Sequence, residues 1–132
     1  MAKQDTEFEK LVAEVGTHDR IVLEDGDGNE YTIRYPRATV RKMEAAGTTM
    51  QSVTQALSDG TLAGAESFVR EFVLPGLKCD QPKMTFEEAL ALWETIPDKD
   101  KVISYMGVLF TQGVRAITAN PITESRMKFR LV

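Results

Sequence analysis

Arg20-Ile21-Val22-Leu23-Glu24-Asp25-Gly26-Asp27-Gly28-Asn29-Glu30-Tyr31-Thr32-Ile33-Arg34-Tyr35-Pro36 is the stretch on which the fold class turns. Its first run holds the β-branched pair Ile21 and Val22. Its last run alternates Tyr31, Ile33 and Tyr35 against Thr32 and Arg34, the period of a strand with one face buried. The glycines and Asx residues between them tolerate the positive φ that a tight hairpin loop demands. Pro36 has no N–H to continue a ladder, so it closes the second strand. A β-hairpin over residues 20–35 is the expectation.

Outside the hairpin the apolar period becomes helical. On the N-terminal side Phe8, Leu11, Val12 and Val15 form one stripe between Thr6 and Gly16, with Asp5 or Thr6 as the cap. A helix of about three turns is marginal alone, so this stripe must pack on the domain or on a partner. On the C-terminal side Val40 and Met43, with the small Ala46, mark a helix from Arg37 that ends at Gly47. Met50, Val53, Ala56 and Leu57 give a further turn or two before Ser58-Asp59-Gly60. Leu62, Ala65, Phe68, Val69, Phe72 and Val73 define a core helix that stops at Leu74-Pro75-Gly76, and 77–83 reads as a connector.

Thr85-Phe86-Glu87-Glu88 matches a capping box and opens a helix with the stripe Phe86, Ala89, Leu90, Trp93 and Ile96. After Pro97, Asp98 is placed to cap the longest helix. There Val102, Ile103, Met106, Leu109, Phe110, Val114 and Ile117 recur at spacings of three and four, up to Asn120-Pro121. The fold expected is mostly helical α+β, an N-terminal β-hairpin followed by a bundle of four to five helices. We read one domain over 1–132: a helix and linker at 1–18, the hairpin at 20–35, a helical part at 37–118 and a tail at 119–132.

Charge and composition limit the partners. The chain has 132 residues, 42% of them hydrophobic and 27% charged, which is ordinary for a folded domain of this size. Its 16 basic against 20 acidic residues leave a formal charge of −4, so no general positive field exists to recruit a phosphate backbone. A helix-turn-helix reading of the last two helices needs exposed basic and amide residues on the second. Lys99, Lys101, Gln112 and Arg115 are instead spread along its length. No nucleic-acid partner is expected. The charged start and the lack of a run of ~20 apolar residues give no membrane segment or signal peptide. One cysteine, Cys79, allows no internal disulfide and suits a reducing cytoplasm.

Candidate chemistry is thin. Asp25, Asp27 and Asn29 have the first spacings of a calcium loop, but Glu30 stands where its glycine belongs and Pro36 where its bidentate carboxylate belongs. His18 is the one histidine and no Gly-x-Ser-x-Gly surrounds any serine. Glu87-Glu88 and Asp98-Asp100 lie at helix N-termini, where the helix dipole accounts for them. Arg34, Arg37, Arg41 and Lys42 form one basic cluster, read as a solvated face opposite Val40 and Met43, with an anion site as the alternative. We expect no catalytic site, no metal and no cofactor. The apolar face of the last helix, widened by Tyr105, Val108 and Phe110, is either core or a surface for another protein.

Glu30-Tyr31-Thr32-Ile33-Arg34-Tyr35, followed by Arg37-Ala38-Thr39-Val40-Arg41-Lys42-Met43-Glu44-Ala45-Ala46-Gly47, resembles the opening of tail assembly chaperones of long-tailed, siphovirus-type bacteriophages. In that family a short hairpin runs into a T-V-x-x-M-E-x-x-G helix. Leu92-Trp93-Glu94-Thr95-Ile96-Pro97-Asp98-Lys99 and the helix after it resemble the family's C-terminal half, so the likeness spans roughly 20–118. Phe72-Val73-Leu74-Pro75-Gly76 departs from it, and the helix before Gly16 is an addition. The resemblance implies a non-enzymatic protein of the bacterial host cytoplasm, absent from the mature virion. It would bind the tape measure protein, keep it soluble during tail morphogenesis, and self-associate. The partner surface expected is Val102, Tyr105, Met106, Leu109 and Phe110 on the last helix. The rival reading is a structural virion component of the head–tail or tail-terminator type. A third, an enzyme or its accessory subunit, needs His18, Cys79 and a carboxylate in one pocket.

Overall fold

The computed structural model describes residues 3–121 and 125–132, so Ile122, Thr123 and Glu124 of the expected tail lie outside the described residues. The chain is mostly helical α+β. A short helix precedes a β-hairpin, and the helical part follows. Helix α1 runs Lys3–Val15. It starts N-terminal to Asp5 and Thr6, the positions expected to begin it. It ends as expected at Gly16, whose φ of +56° suits a residue without a Cβ.

Strands β1 (Arg20–Glu24) and β2 (Glu30–Arg34) pair antiparallel, with Ile21 opposite Ile33 and Val22 opposite Thr32. The Asp25 carboxylate holds the loop together. It accepts from the backbone N–H groups of Asp27 and Asn29 at 2.9 Å and from the Asn29 side-chain amide at 3.1 Å. Those hydrogen bonds, the Asn29 amide first, hold the Asp25 carboxyl below the usual carboxylate range. Turn chemistry thus accounts for the Asp-Gly-Asp-Gly-Asn run.

Pro36 then starts α2 (Arg37–Ala45), and Gly47 ends it at φ +96°. The stretch after it, read as a turn or two, is a longer helix, α3 (Met50–Ser58), because Thr49 and Ser52 make a reciprocal capping box. The next helix departs most from expectation. Helix α4 (Leu62–Phe68) passes into a π-helical turn (Val69–Val73), and α5 (Leu74–Lys78) continues beyond it. Pro75 does not stop the helix. The π-turn closes on a bond from Leu74 N–H to Val69 C=O, one residue wider than the α pattern. Pro75 accordingly falls in the first turn of α5, where a missing N–H costs nothing. The apolar face also starts later than its sequence suggests, since Leu62 and Ala65 are exposed and Phe68 is the first buried large side chain.

Helices α6 (Phe86–Glu94) and α7 (Lys99–Thr118) complete the chain. The capping box of α6 is present: Thr85 Oγ1 accepts from Glu88 N–H at 3.2 Å, and Glu88 Oε1 accepts from Thr85 N–H at 3.1 Å. Asp98, by contrast, does not cap α7 through its side chain. It adopts a left-handed conformation at φ +57° and serves through its carbonyl. Lys99 clamps the corner by donating to the carbonyls of Glu94 and Ile96.

The core is aromatic. Tyr35 of the β2–α2 junction stacks on Phe72 of the π-turn at 5.1 Å, and Phe110 of α7 meets both edge-on at 5.6 and 5.3 Å. Phe68 links this group to Trp93 of α6 at 5.4 Å. The Tyr35 hydroxyl donates to the Phe72 carbonyl at 2.8 Å, so its burial leaves no polar group unmet, and burial pushes its pKa well above the ordinary tyrosine value.

Close backbone contact at Gly64 sets the α3–α4 pairing. A Cβ there would lie 2.5 Å from the backbone oxygen of Ala56. Alanine gains up to ~1 kcal/mol in helix propensity over glycine, whereas overpacking against an immovable carbonyl costs roughly 1–3 kcal/mol. The clash should win. Gly64→Ala is expected to lower the thermal midpoint, whereas a midpoint raised by the substitution would show that α3 can simply swing away.

Candidate functional site

Helix α7 is the element on which a partner surface was expected, and its length divides into two environments. Met106, Leu109 and Phe110 are buried at 0%, 3% and 4% exposure, and Val102 and Tyr105 are half-buried. The expected surface is thus largely covered in the folded chain. Three of its five residues are core and could meet a partner only if the chain opened. The other two are partly covered, because α1 packs along α7 as its stripe required. Tyr105 donates its hydroxyl to Glu14, Lys101 pairs with Glu14 at 3.4 Å, and the Gln112 amide donates to the His18 carbonyl at 2.9 Å.

The contact with Tyr105, more than that with Lys101, holds the Glu14 carboxyl below its ordinary value. A depressed carboxylate contributes stability above its unfolded pKa and loses it as pH falls through the folded one. The docking of α1 should therefore weaken on acidification below the usual glutamate range. Amide hydrogen exchange in α1, followed against pH, checks this: Glu14→Gln should remove the acid-dependent part, and an unchanged pH profile in that variant would refute the assignment.

The last turns of α7 are different. Val114 and Ile117 belong to the same apolar stripe but are 50% and 77% exposed. They flank a cavity of about 160 Å3 between α7 and α2, lined by Tyr35, Val40, Phe110 and Gly113 with Arg37, Arg41 and Glu44 around it. An apolar floor with a charged rim is a shape that receives side chains from a helix laid across it. No feature of the sequence distinguishes Val114 and Ile117 from Leu109 and Phe110, since all four share one period.

A larger hollow of about 570 Å3 lies on the other side of α2, lined among others by Lys42, Met43, Arg70, Glu71, Lys78 and Cys79. The Cys79 thiol lies 3.3 Å from the Thr39 hydroxyl and 3.6 Å from the carbonyls of Arg34 and Pro75. His18 lines a separate cavity beside β1, together with Glu14, Val15, Ile21, Tyr105 and Leu109. The structure thus does not bring His18 and Cys79 into one pocket. Within the basic cluster, Arg34 pairs with Asp80 at 2.9 Å, while Arg37 lies beside Gly113 of α7.

Among the described residues there is no group of three or more His, Cys, Asp or Glu side chains placed to hold a metal ion, and no helix is long and apolar enough to cross a membrane. Comparison of the chain with protein-family models, with curated proteins and with solved structures gives no match, which leaves the residues and their placement to carry the functional reading.

Proposed function

We propose that this chain is a non-enzymatic holding protein of the phage tail assembly chaperone kind, which binds the tape measure protein in the bacterial cytoplasm, keeps it soluble and is left out of the finished particle. The observation that carries the reading is the exposed apolar end of α7 beside α2. The helix whose Thr39–Gly47 segment resembles the chaperone family is one wall of this groove, and Val114 and Ile117 form the other.

The core is complete without those two side chains, so they are free to serve another protein. A tape measure protein is a long helical client whose apolar stripes aggregate when bare. Covering such a stripe needs apolar contact along one face, which a groove floored by Tyr35, Val40 and Phe110 supplies. Arg37, Arg41 and Glu44 at its rim would orient the client and hold water off the contact.

Co-expression of the chain with the tape measure protein encoded beside it tests the reading. The client should shift from the insoluble to the soluble fraction and co-purify with the chain, and the chain should be missing from purified particles. A client that stays insoluble and unbound would overturn the proposal, while the chain's presence in finished particles would favour the virion-component reading instead.

A further inference from the structure

The two-stranded sheet has one covered edge and one open edge. On β2 the N–H and C=O of Thr32 turn away from β1, and both are met by the side-chain amide of Gln81, at 3.0 Å each. Gln81 thereby stands in for a third strand. Opposed residues of an antiparallel ladder point their backbone groups the same way relative to the pair, inward or outward together. Val22 is paired with Thr32, so its N–H and C=O also face outward, from the other side of the sheet. Among the described residues no hydrogen bond reaches them. An uncovered strand edge is a template for another strand.

A matching strand is present in the same sequence. Arg126-Met127-Lys128-Phe129-Arg130-Leu131-Val132 alternates basic and apolar residues, the pattern of a strand with one wet and one buried face. It has no regular secondary structure, and Met127, Phe129 and Leu131 are 86%, 99% and 100% exposed. So much bare apolar surface in so short a segment needs a cover.

Edge and tail fit in two respects. On the inner face, Ile21 and Leu23 of β1 point toward the core, and beside them opens the cavity of about 250 Å3 lined by Val15, Ile21, Tyr105 and Leu109. A strand laid along β1 would extend that apolar row and bring an aromatic or leucine side chain to the cavity. On charge, Glu24, Asp25, Asp27 and Glu30 crowd the hairpin tip, whereas Arg126, Lys128 and Arg130 supply the tail's wet face. The chain's own tail leaves the edge open, with its apolar side chains in solvent.

We infer that residues Arg126–Val132 of a second copy dock on the outer edge of β1 as a third strand, and that two copies exchange tails reciprocally. A twofold exchange satisfies both edges and both tails at once, the closed arrangement that symmetry favours. This does not rest on the client-holding proposal, and its test contains no client.

Sedimentation velocity of the full chain over a micromolar concentration series should show a dimer. Val22→Pro removes the outward N–H without touching the β1–β2 ladder, and Phe129→Asp with Leu131→Asp spoils the tail without touching the folded core. Each is expected to weaken the dimer by roughly tenfold or more. Equal mixtures of the two variant proteins should regain a dimer, in which the Val22→Pro copy gives its tail and the tail-variant copy gives its edge. Circular dichroism and the thermal midpoint establish that Val22→Pro still folds, and the tail variant keeps the test decisive where it does not. A native chain that is monomeric throughout, or a dimer that survives the tail substitutions, overturns the inference.

Discussion

Phe72→Ala is expected to cost about 3–5 kcal/mol of folding stability, the range for removing a buried aromatic ring. Phe72 is 0% exposed and touches the rings of Tyr35, Phe68 and Phe110, which come from the β2–α2 junction, α4 and α7. The neighbours are poorly placed to collapse into the space. Tyr35 is tethered by its hydroxyl to the carbonyl of residue 72 itself, and Phe110 sits on a helix held by α1 and by the sheet. Because small domains have only about 5–15 kcal/mol in total, such a loss should leave the variant near its unfolding threshold at room temperature. Urea denaturation with an unchanged slope and a lowered midpoint is the expected result. A loss below ~1 kcal/mol would mean that the aromatic cluster is not the centre of the fold.

Phe110→Asp should be worse. It removes a ring from the same cluster and puts a carboxylate where no donor waits for it, at a residue 4% exposed. Burying an unpaired charge costs several kcal/mol beyond the lost packing, so this chain is expected to be unfolded or molten at neutral pH. Ile117→Asp lies only seven residues further along the helix and is 77% exposed, and it should change stability by no more than ~0.5 kcal/mol. The pair of measurements separates the sealed half of α7 from its open end. Equal losses at both positions would contradict that division.

Legibility in the sequence followed the locality of the physics. The hairpin could be read because Asp25, Gly28 and Asn29 fix the turn among themselves, and the Thr85–Glu88 box because its donors and acceptors lie three residues apart. The apolar periods of α6 and α7 showed as plainly, since each follows from helix geometry alone. What the sequence hid depends on distant contacts. Pro75-Gly76 reads as a helix stop, yet the π-turn before it absorbs the proline, and Gly76 is there because a Cβ would come within 2.9 Å of Ile33 on the sheet. Gln81 looks like a connector residue until β2 is seen to need an edge partner. Thr6 resembled a cap only because the apolar stripe of α1 begins later than its backbone.

Of the surface expected on α7, Met106, Leu109 and Phe110 are buried, whereas Val114 and Ile117 of the same stripe are exposed. Periodicity assigns Leu109 and Ile117 to one face, but it carries no information on where the rest of the molecule stops covering that face. On the side of Val114 and Ile117 the last turns of α7 overhang the core, leaving these residues 50% and 77% exposed. That overhang becomes visible only once α1, the sheet and the π-turn are in position.

The exposed end of α7, with the adjoining wall of α2, is the surface we propose to hold another protein. Val114→Asp combined with Ile117→Asp puts two charges on that surface without entering the core, so the thermal midpoint and secondary structure should match the native chain. Co-expressed with the tape measure protein, the double variant should leave the client insoluble where the native chain keeps it in solution. A folded double variant that solubilises and co-purifies the client as well as the native chain does would show that this surface does not hold it.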